Sequence, residues 1–433
     1  MTETIDAIAV VLAINSGGEL APLTENRTAA AMPFGGNFRL IDFPLSNCLN
    51  SGLRKVLVLT QYKSHSLHKH LRDGWSIFIP ELREFITPVP PQMRDGPYGY
   101  RGPVDALRQC LFLLERNSAD HVLVVGGDEI YRMDYAAMLR SHKACGADMT
   151  IACPLADVGA DAGGAPYLCV DADERVTAVQ TTPAAGAHWI RSMGVAVFSK
   201  AALSRMLAAV EPATLDCNDV GRELLPRVVN DYRVMAYRFG GTAGRVTPDR
   251  FWCRPTSVDD FYAANMALLD FEPPIDLYQS DWPLRTYHMP SPPARMAPGR
   301  SCAEGVCINS IVAAGTIVAG GGVHRSILFP GVIVDDGAIV EDCILMSGVR
   351  VGAGAVVRRC VVEKGIEIPA GVELGGGGPG RIPDLHVSPG GVTVVTGADE
   401  FDWTQPPPAQ PRTPAASPRS LDGRALQAAF RRR

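Results

Sequence analysis

Cysteine motifs of zinc sites and redox sites are missing from this sequence. Its eleven cysteines are scattered along the chain, and none forms a CxxC pair, the spacing that many zinc sites and thioredoxin-like redox sites use. In a long chain of this kind, reduced and mostly buried thiols are expected. We therefore expect neither a structural zinc site nor a disulfide framework.

Long apolar runs and an excess of basic residues are also missing. No apolar stretch reaches the roughly 18–20 residues that span a bilayer, and the first residues, MTETIDAIAVVLAI, lack the basic segment of a signal peptide. The net charge is −5 and the isoelectric point is near 6.0. We expect a cytoplasmic protein that binds neither a membrane nor nucleic acid, because duplex binding usually requires a basic face.

The first part of the chain alternates apolar runs with segments of helical spacing. Residues 7–14, 55–60 and 121–125 are nearly continuous apolar runs, as expected for strands that are covered on both faces of a sheet. A helical pattern begins at Pro103, a favoured first residue of helices. This alternation predicts an α/β domain with a mostly parallel sheet over residues 1–241.

Residues 301–400 form a repeat. The apolar triplets that begin at Ser326, Cys343 and Cys360 follow one another at steps of 17 residues, and aliphatic residues recur six positions apart within each step. Hexapeptide spacing with about three hexapeptides in a coil is typical of a parallel β-helix. Each coil stacks its aliphatic side chains on those of its neighbour. We predict a left-handed parallel β-helix here.

Two further segments flank this repeat. Residues 242–300 are rich in proline and contain a helical pattern at 257–269, which predicts a closing helix followed by an extended connector. Residues 401–433 are proline-rich and end in a basic stretch. Because such polar sequence cannot bury enough surface to fold alone, we expect a disordered tail.

A loop with two glycines follows the first predicted strand. Backbone N–H groups at Gly17 and Gly18 would lie at the sheet edge where ligands bind in α/β folds. The charges nearby do not suit a polyphosphate, because Glu19 lies in the loop and Arg27 is the only basic residue between positions 17 and 38.

Residues 34–67, FGGNFRLIDFPLSNCLNSGLRKVLVLTQYKSHSL, resemble the ADP-glucose pyrophosphorylases, also called glucose-1-phosphate adenylyltransferases, almost word for word. Shorter matches are YRG at 100–102, GDEIY at 127–131, SMG at 192–194 and LYQSDWPLRTY at 277–287. The resemblance covers about residues 5–400. It implies a Rossmann-like nucleotidyltransferase domain followed by a left-handed β-helix.

Members of this family make ADP-glucose from ATP and glucose 1-phosphate and release pyrophosphate, in glycogen or starch synthesis. Such chemistry depends on Mg²⁺ held by carboxylates and on Arg and Lys side chains at the phosphates. The resemblance therefore implies Mg²⁺ if the protein is active, and ATP or ADP-glucose, glucose 1-phosphate or a metabolite effector as ligands. The family's tetramers imply a homo-tetramer, or a hetero-tetramer with an active pyrophosphorylase subunit.

Some residues of the family's site are retained in this sequence. The resemblance places Asp128 at a metal-ligand position. It implies substrate-binding positions at Gln61, Tyr100 and Ser192, beside the loop residues Gly17 and Gly18.

Other residues of that site are replaced. Glu19 stands where the family has an arginine on the triphosphate, and Ala29 stands where it has a lysine. Thr182 replaces the lysine of the sugar-phosphate motif E-K-P, whose glutamate is Thr181 here. Arg254 replaces an aspartate that binds metal, and an arginine there would neutralise phosphate only as a partial substitute for Mg²⁺.

Three functions follow from this pattern. The intact scaffold with a depleted site favours a non-catalytic or regulatory member that assembles with an active subunit or senses its ligands. The retained Asp128, Tyr100 and Ser192 instead support an active adenylyltransferase, or a sugar nucleotidyltransferase with an altered site. Acyl transfer by the β-helix would depend on His324, which lies among the predicted coils.

Overall fold

The structure, a computed structural model, describes residues 5–93, 98–155, 165–182, 189–209, 220–375 and 385–397. The tail predicted at 401–433 lies outside this range. Within the described residues, no helix combines the length and the apolar character needed to cross a membrane.

The first domain alternates strands and helices, as its sequence predicted. Its strands are β1 (Ala7–Ala13), β2 (Pro33–Phe34), β3 (Phe38–Arg39), β4 (Lys55–Thr60), β5 (Phe85–Val89), β6 (His121–Gly126), β7 (Ile130–Tyr131), β8 (Met149–Pro154), β9 (Tyr167–Val170), β10 (Val176–Gln180), β11 (Trp189–Arg191), β12 (Ala196–Ser199), β13 (Val234–Phe239) and β14 (Trp252–Cys253). Its helices are α1 (Asp42–Asn50), α2 (His65–Trp75), α3 (Pro103–Glu115), α4 (Tyr135–Ala144), α5 (Lys200–Ala208), α6 (Leu225–Val228) and α7 (Val258–Met266).

Seven of these strands form the central sheet, in the order β13-β8-β12-β6-β1-β4-β5. The pairs β1–β4, β1–β6, β4–β5 and β8–β13 are parallel, whereas β12 runs antiparallel to both of its neighbours. The prediction of a mostly parallel sheet is therefore confirmed. The sequence did not indicate that β12 would reverse direction.

Both faces of the sheet are covered, which explains why its strands are apolar throughout. On one face, Ile8 and Val10 belong to a core with α3, α5 and α6. On the other face, Ala9 and Val11 belong to a core with α1, α2 and α4. Successive residues of β1 thus fill two different cores, as the period of two along a strand requires.

The second domain is a parallel β-helix with three sheets. Its strands are β15 (Arg295–Ala297), β16 (Val306–Ile308), β17 (Ile311–Val312), β18 (Ile317–Ala319), β19 (Gly322–His324), β20 (Ile327–Leu328), β21 (Ile333–Val334), β22 (Ile339–Glu341), β23 (Ile344–Leu345), β24 (Arg350–Val351), β25 (Val356–Arg358), β26 (Cys360–Val362), β27 (Glu367–Ile368), β28 (Glu373–Leu374), β29 (His386–Val387) and β30 (Thr393–Val395).

The predicted step of 17 residues is confirmed by the strand register. Val340 pairs with Val323 of the preceding coil and with Val357 of the following coil. These valines are at most 2% exposed and stack into one interior column. The first strand of the three sheets is β15, so the β-helix begins slightly before residue 301.

Helix α7 joins the two domains. It begins after Ser257, whose Oγ accepts a hydrogen bond from the Asp260 N–H at 3.0 Å and caps the first turn. Phe261 packs in a core that includes Ile327 and Ile344 of the β-helix. The hydroxyl of Tyr262, in the same helix, donates to the carbonyl of Asp342 in the β-helix at 2.7 Å.

Candidate functional site

A cavity of about 540 Å³ opens at the carboxyl ends of β1 and β6, where open α/β sheets bind their ligands. Leu12 and Ile14 bring the end of β1 to its wall, and Gly126 ends β6 beside them. The glycine loop and the end of β14 line other parts of the wall. Its volume is within the range of small-molecule sites.

Asp128 lies in this cavity and is already bound by two polar side chains. Its Oδ2 atom accepts a hydrogen bond from Asn15 Nδ2 at 2.8 Å and lies 3.4 Å from Arg254 Nη2. The Asp128 side chain is 7% exposed, and the Arg254 side chain is 35% exposed. Strand β14 pairs antiparallel with β7, with Cys253 opposite Ile130. Because the pairing is antiparallel, Arg254 lies beside the residues that precede Ile130, which are Asp128 and Glu129.

Glu129 is a second buried acid in this wall. It is 4% exposed, and its Oε2 atom accepts a hydrogen bond from Trp252 Nε1 at 3.1 Å. Burial is the main reason that the pKa of Glu129 is raised to about 7; nearby Arg254 and the hydrogen bond from Trp252 oppose this shift, and nearby Asp128 contributes to it. The sequence analysis did not single out Glu129, because its contact with Trp252 exists only after β14 has paired with β7.

Asn15 connects the glycine loop to Asp128. Its Oδ1 atom accepts a hydrogen bond from the Gly17 N–H at 3.0 Å, while its Nδ2 group donates to Asp128. Gly17 has a φ of +70°, and an added Cβ would lie 2.8 Å from Thr24 Cγ2, so this position requires glycine. The Gly17 N–H group is thus used inside the protein. Ala29 lies buried against the loop, 3.0 Å from that same Cβ position.

The structure brings together only part of the predicted site. The predicted residues that line the cavity are Gly17, Gly18, Glu19, Asp128, Ser192 and Arg254. Ser192 faces it with its own hydroxyl engaged, since Ser192 Oγ accepts from the Gly194 N–H at 3.1 Å. Ala29 does not reach the cavity wall.

Gln61 and Tyr100 lie elsewhere and bind each other. Gln61 Nε2 donates to the Tyr100 carbonyl at 3.0 Å, and the Tyr100 N–H donates back to Gln61 Oε1. The Tyr100 hydroxyl is buried and donates to the carbonyl of Val89 at 3.2 Å. Neither residue lines the cavity around Asp128, so their role in substrate binding stays a prediction.

Thr181 and Thr182 line a smaller neighbouring cavity of about 360 Å³. The two cavities share Pro166 and Arg222 in their walls. Arg222 is therefore a cation at the junction between the two spaces. The sequence analysis missed it, because a single arginine in the segment 220–224 follows no motif.

His324 lies exposed on β19. The acyl-transfer hypothesis that depends on this histidine stays a prediction.

The comparisons with known proteins agree with this architecture. The nucleotidyl transferase family matches residues 8–270, and the GlmU-like C-terminal hexapeptide family matches residues 292–395. Glucose-1-phosphate adenylyltransferase 2 of Vibrio parahaemolyticus is 48% identical over 346 residues, which cover 78% of this chain and 85% of that relative. The chain belongs to the glucose-1-phosphate adenylyltransferase family.

A more distant member of the family matches nearly the whole chain. Glucose-1-phosphate adenylyltransferase 2 of Alkalilimnicola ehrlichii is 36% identical over 402 residues, which cover 91% of this chain and 94% of that relative. Glucose-1-phosphate adenylyltransferase 2 of Vibrio cholerae is 46% identical over 344 residues, which cover 78% of this chain and 84% of that relative. The predicted family, fold and order of domains are therefore confirmed.

Nucleotidyltransferases typically depend on Mg²⁺, and the residues around Asp128 do not fit that ion. Mg²⁺ prefers several oxygen ligands in octahedral geometry. Within the described residues, no group of three or more His, Cys, Asp or Glu side chains is placed to hold a metal ion. The Oδ2 atom of Asp128 faces the cation of Arg254 and the amide of Asn15 instead. An arginine beside the carboxylate repels a divalent cation.

Proposed function

We propose that this chain is a non-catalytic or regulatory member of the glucose-1-phosphate adenylyltransferase system. In this proposal it keeps the nucleotide-binding scaffold and the β-helix but makes little or no ADP-glucose. The observation that carries the proposal is the contact of Arg254 with Asp128. The acid that the resemblance places at a metal-ligand position is paired with a protein cation.

The charges of the cavity support the same proposal. Catalysis of this reaction depends on positioning the phosphates and on neutralising charge at the pyrophosphate that leaves. Glu19 lines the cavity at the position of a phosphate-binding arginine, and the buried methyl group of Ala29 replaces a lysine. Removing one such contact typically lowers the rate by about 10²–10³. The losses are not additive, but several occur together here.

The first experiment measures pyrophosphorolysis of ADP-glucose in the presence of Mg²⁺. The purified chain is compared with the Vibrio parahaemolyticus relative under the same conditions. We expect a rate at least about 10³-fold below that of the relative. A rate within about tenfold of the relative would exclude the proposal.

A repaired variant sharpens this test. Arg254→Asp, Glu19→Arg and Thr182→Lys together restore the charges that the family has at these positions. We expect this variant to gain measurable turnover that requires Mg²⁺, because the acid pair is then available to a metal and two cations face the phosphates. Arg250→Asp is the matched control, since Arg250 is exposed and does not line the cavity around Asp128.

An active adenylyltransferase, or a sugar nucleotidyltransferase with an altered site, is the second candidate. It is favoured by the intact cavity and by the presence of both Asp128 and Ser192 in its wall. The discriminating variant is Asp128→Asn. If the wild-type preparation is active and the variant retains that activity unchanged, the activity belongs to a contaminating enzyme.

Assembly with an active subunit is the proposed route of regulation. Co-expression with an active family member, followed by size-exclusion chromatography and assay of the mixed oligomer, tests it. We expect one mixed species whose activity or response to effectors differs from that of the active subunit alone. Two separate homo-oligomers with unchanged kinetics would contradict this part of the proposal.

A further inference from the structure

The glycine loop after β1 is tied to the rest of the domain through its backbone carbonyls. The Gly17 carbonyl accepts hydrogen bonds from Thr24 Oγ1 at 2.7 Å and from the Leu20 N–H at 2.8 Å. The Asn15 carbonyl accepts a hydrogen bond from Thr28 Oγ1 at 2.8 Å. The loop is therefore held against the segment that follows it in sequence, and its conformation is defined by contacts within the protein.

The Asn15 side chain binds this loop and Asp128 at the same time. Its Oδ1 atom accepts a hydrogen bond from the Gly17 N–H at 3.0 Å, and its Nδ2 group donates to Asp128 Oδ2 at 2.8 Å. The second bond joins residues that are 113 positions apart, so it links the loop after β1 to the residues after β6. Asp128 in turn lies 3.4 Å from Arg254. The loop, the acid and the arginine thus form one chain of contacts in the cavity wall.

The bond from Gly17 occupies a donor that glycine loops otherwise present to anions. Backbone N–H groups in such turns can form a concave site for an anion, but here an anion must displace the Asn15 amide before it can reach the Gly17 N–H. Asn15 is exposed and lines the cavity, so its hydrogen bonds compete with water. A hydrogen bond of this kind changes an equilibrium constant by only about two- to tenfold. The contact is therefore weak enough to open reversibly.

We propose that Asn15 is an autoinhibitory latch, which closes the glycine loop to anions by binding the Gly17 N–H and the Asp128 carboxylate together. This inference rests on the proposed function, because it concerns how the same depleted site is regulated. Asn15 is a positioning residue that acts through Gly17 and Asp128. When the latch opens, the N–H group of Gly17 becomes available to a ligand in the cavity.

The first test is hydrogen–deuterium exchange of the full chain, measured by mass spectrometry on peptides that cover residues 14–21. Asn15→Ala removes both side-chain bonds, and we expect the loop amides to exchange at least about fivefold faster than in the wild type. Asn15→Asp keeps an oxygen for the Gly17 N–H but replaces the donor to Asp128 with a carboxylate. We expect faster exchange here as well, because the two carboxylates repel each other.

The second test is calorimetric titration with inorganic pyrophosphate in EDTA. We expect Asn15→Ala to bind this probe at least about fivefold more tightly than the wild type does, because the probe no longer has to displace the amide. Asn117→Ala is the matched control for both tests. Asn117 Oδ1 accepts from the Ala119 N–H at 3.0 Å, across the same spacing of two residues, and Asn117 does not line the cavity. This variant should leave loop exchange and affinity unchanged.

Either of two results would overturn the inference. One is loop exchange in the Asn15 variants that equals that of the wild type. The other is pyrophosphate affinity of Asn15→Ala that is no higher than that of the wild type, including no measurable binding by either protein. Thermal unfolding establishes that each variant is folded, and if Asn15→Ala is not, the exchange of Asn15→Asp decides. The proposed function is decided separately, by the rate of pyrophosphorolysis of the wild-type chain.

Discussion

Glu363→Gln is expected to lower the free energy of unfolding by about 2–3 kcal/mol. Glu363 belongs to the β-helix and forms an ion pair with Arg27, which lies between the glycine loop and β2. Arg27 also donates to Met346 Sδ at 3.7 Å. The arginine that is nearest to the cavity loop in sequence therefore faces the second domain, and the ion pair connects the two domains.

The magnitude follows from the burial of this pair. Removing one partner of a buried ion pair costs about 3–5 kcal/mol, because the other charge stays buried without compensation. The side chains of Arg27 and Glu363 are 14% and 13% exposed, so solvent screens the pair slightly and the lower estimate applies. Burial, together with the smaller effect of nearby Arg39, lowers the pKa of Arg27 to about 10. Without Glu363, two buried cations would remain close together.

A double-mutant cycle in urea, followed by tryptophan fluorescence, measures the interaction. The variants are Glu363→Gln, Arg27→Leu and the combination of both, and we expect a coupling energy of about 2 kcal/mol. Glu341→Gln is the matched control, because Glu341 and its partner Arg358 are 40% and 45% exposed and such pairs contribute about 0–1 kcal/mol. A coupling energy below about 0.5 kcal/mol would refute the claim that this pair holds the domains together.

Three further predictions concern the cavity, a buried histidine and the β-helix. Arg254→Asp replaces the ion pair with two neighbouring carboxylates, whose repulsion costs about 1–2 kcal/mol at a partly exposed site. The melting temperature should therefore fall in EDTA and recover in Mg²⁺, and an equal melting temperature in both would contradict this. His142 is buried between Thr150 Oγ1 at 2.8 Å and Ser199 Oγ at 3.2 Å, and burial lowers its pKa to about 4, with nearby His121 acting in the same direction. Between pH 6.5 and 4, His142 is therefore protonated in the unfolded chain but not in the folded state. The free energy of unfolding should fall by up to about 3 kcal/mol as the pH is lowered from 6.5 to 4. In the His142→Gln variant, the free energy of unfolding should depend less on pH in this range. Val340→Ala, at 0% exposure, should cost about 2 kcal/mol, whereas Ile339→Ala on the other face of β22 should cost less in the same denaturation experiment.

The fold could be predicted because two strong periodicities determine it. Strands covered on both faces produce the apolar runs of β1, β4 and β6, and the stacking of coils produces the step of 17 residues. In both cases, the burial of side chains produces a pattern that is visible in the local sequence. The antiparallel direction of β12 produces no such pattern, because a short apolar run has the same composition in either direction.

The site could be predicted only where a motif continues along the chain. The resemblance singled out Asp128 in GDEIY and Arg254 at the position of the family's metal-binding aspartate, and both residues line the cavity. Arg222 was missed because it follows no motif. Glu129 lies in GDEIY but was missed because its contact with Trp252 forms only when β14 pairs with β7. Gln61 and Tyr100 were grouped with the cavity by resemblance, and the structure shows that they are partners of each other.

The contact between Asp128 and Arg254 depends on backbone pairing and not on either charge. Strand β14 pairs with β7 through Trp252 and Cys253, and Trp252 is buried against the same core as β1 and β6. The side chain at position 254, after Cys253, therefore lies close to Asp128 whichever residue it is. An aspartate there would give two carboxylates that can share a cation, whereas arginine gives an internal ion pair. A single substitution at this position can thus replace a pair of carboxylates with an internal ion pair while the pairing of β14 with β7 stays the same.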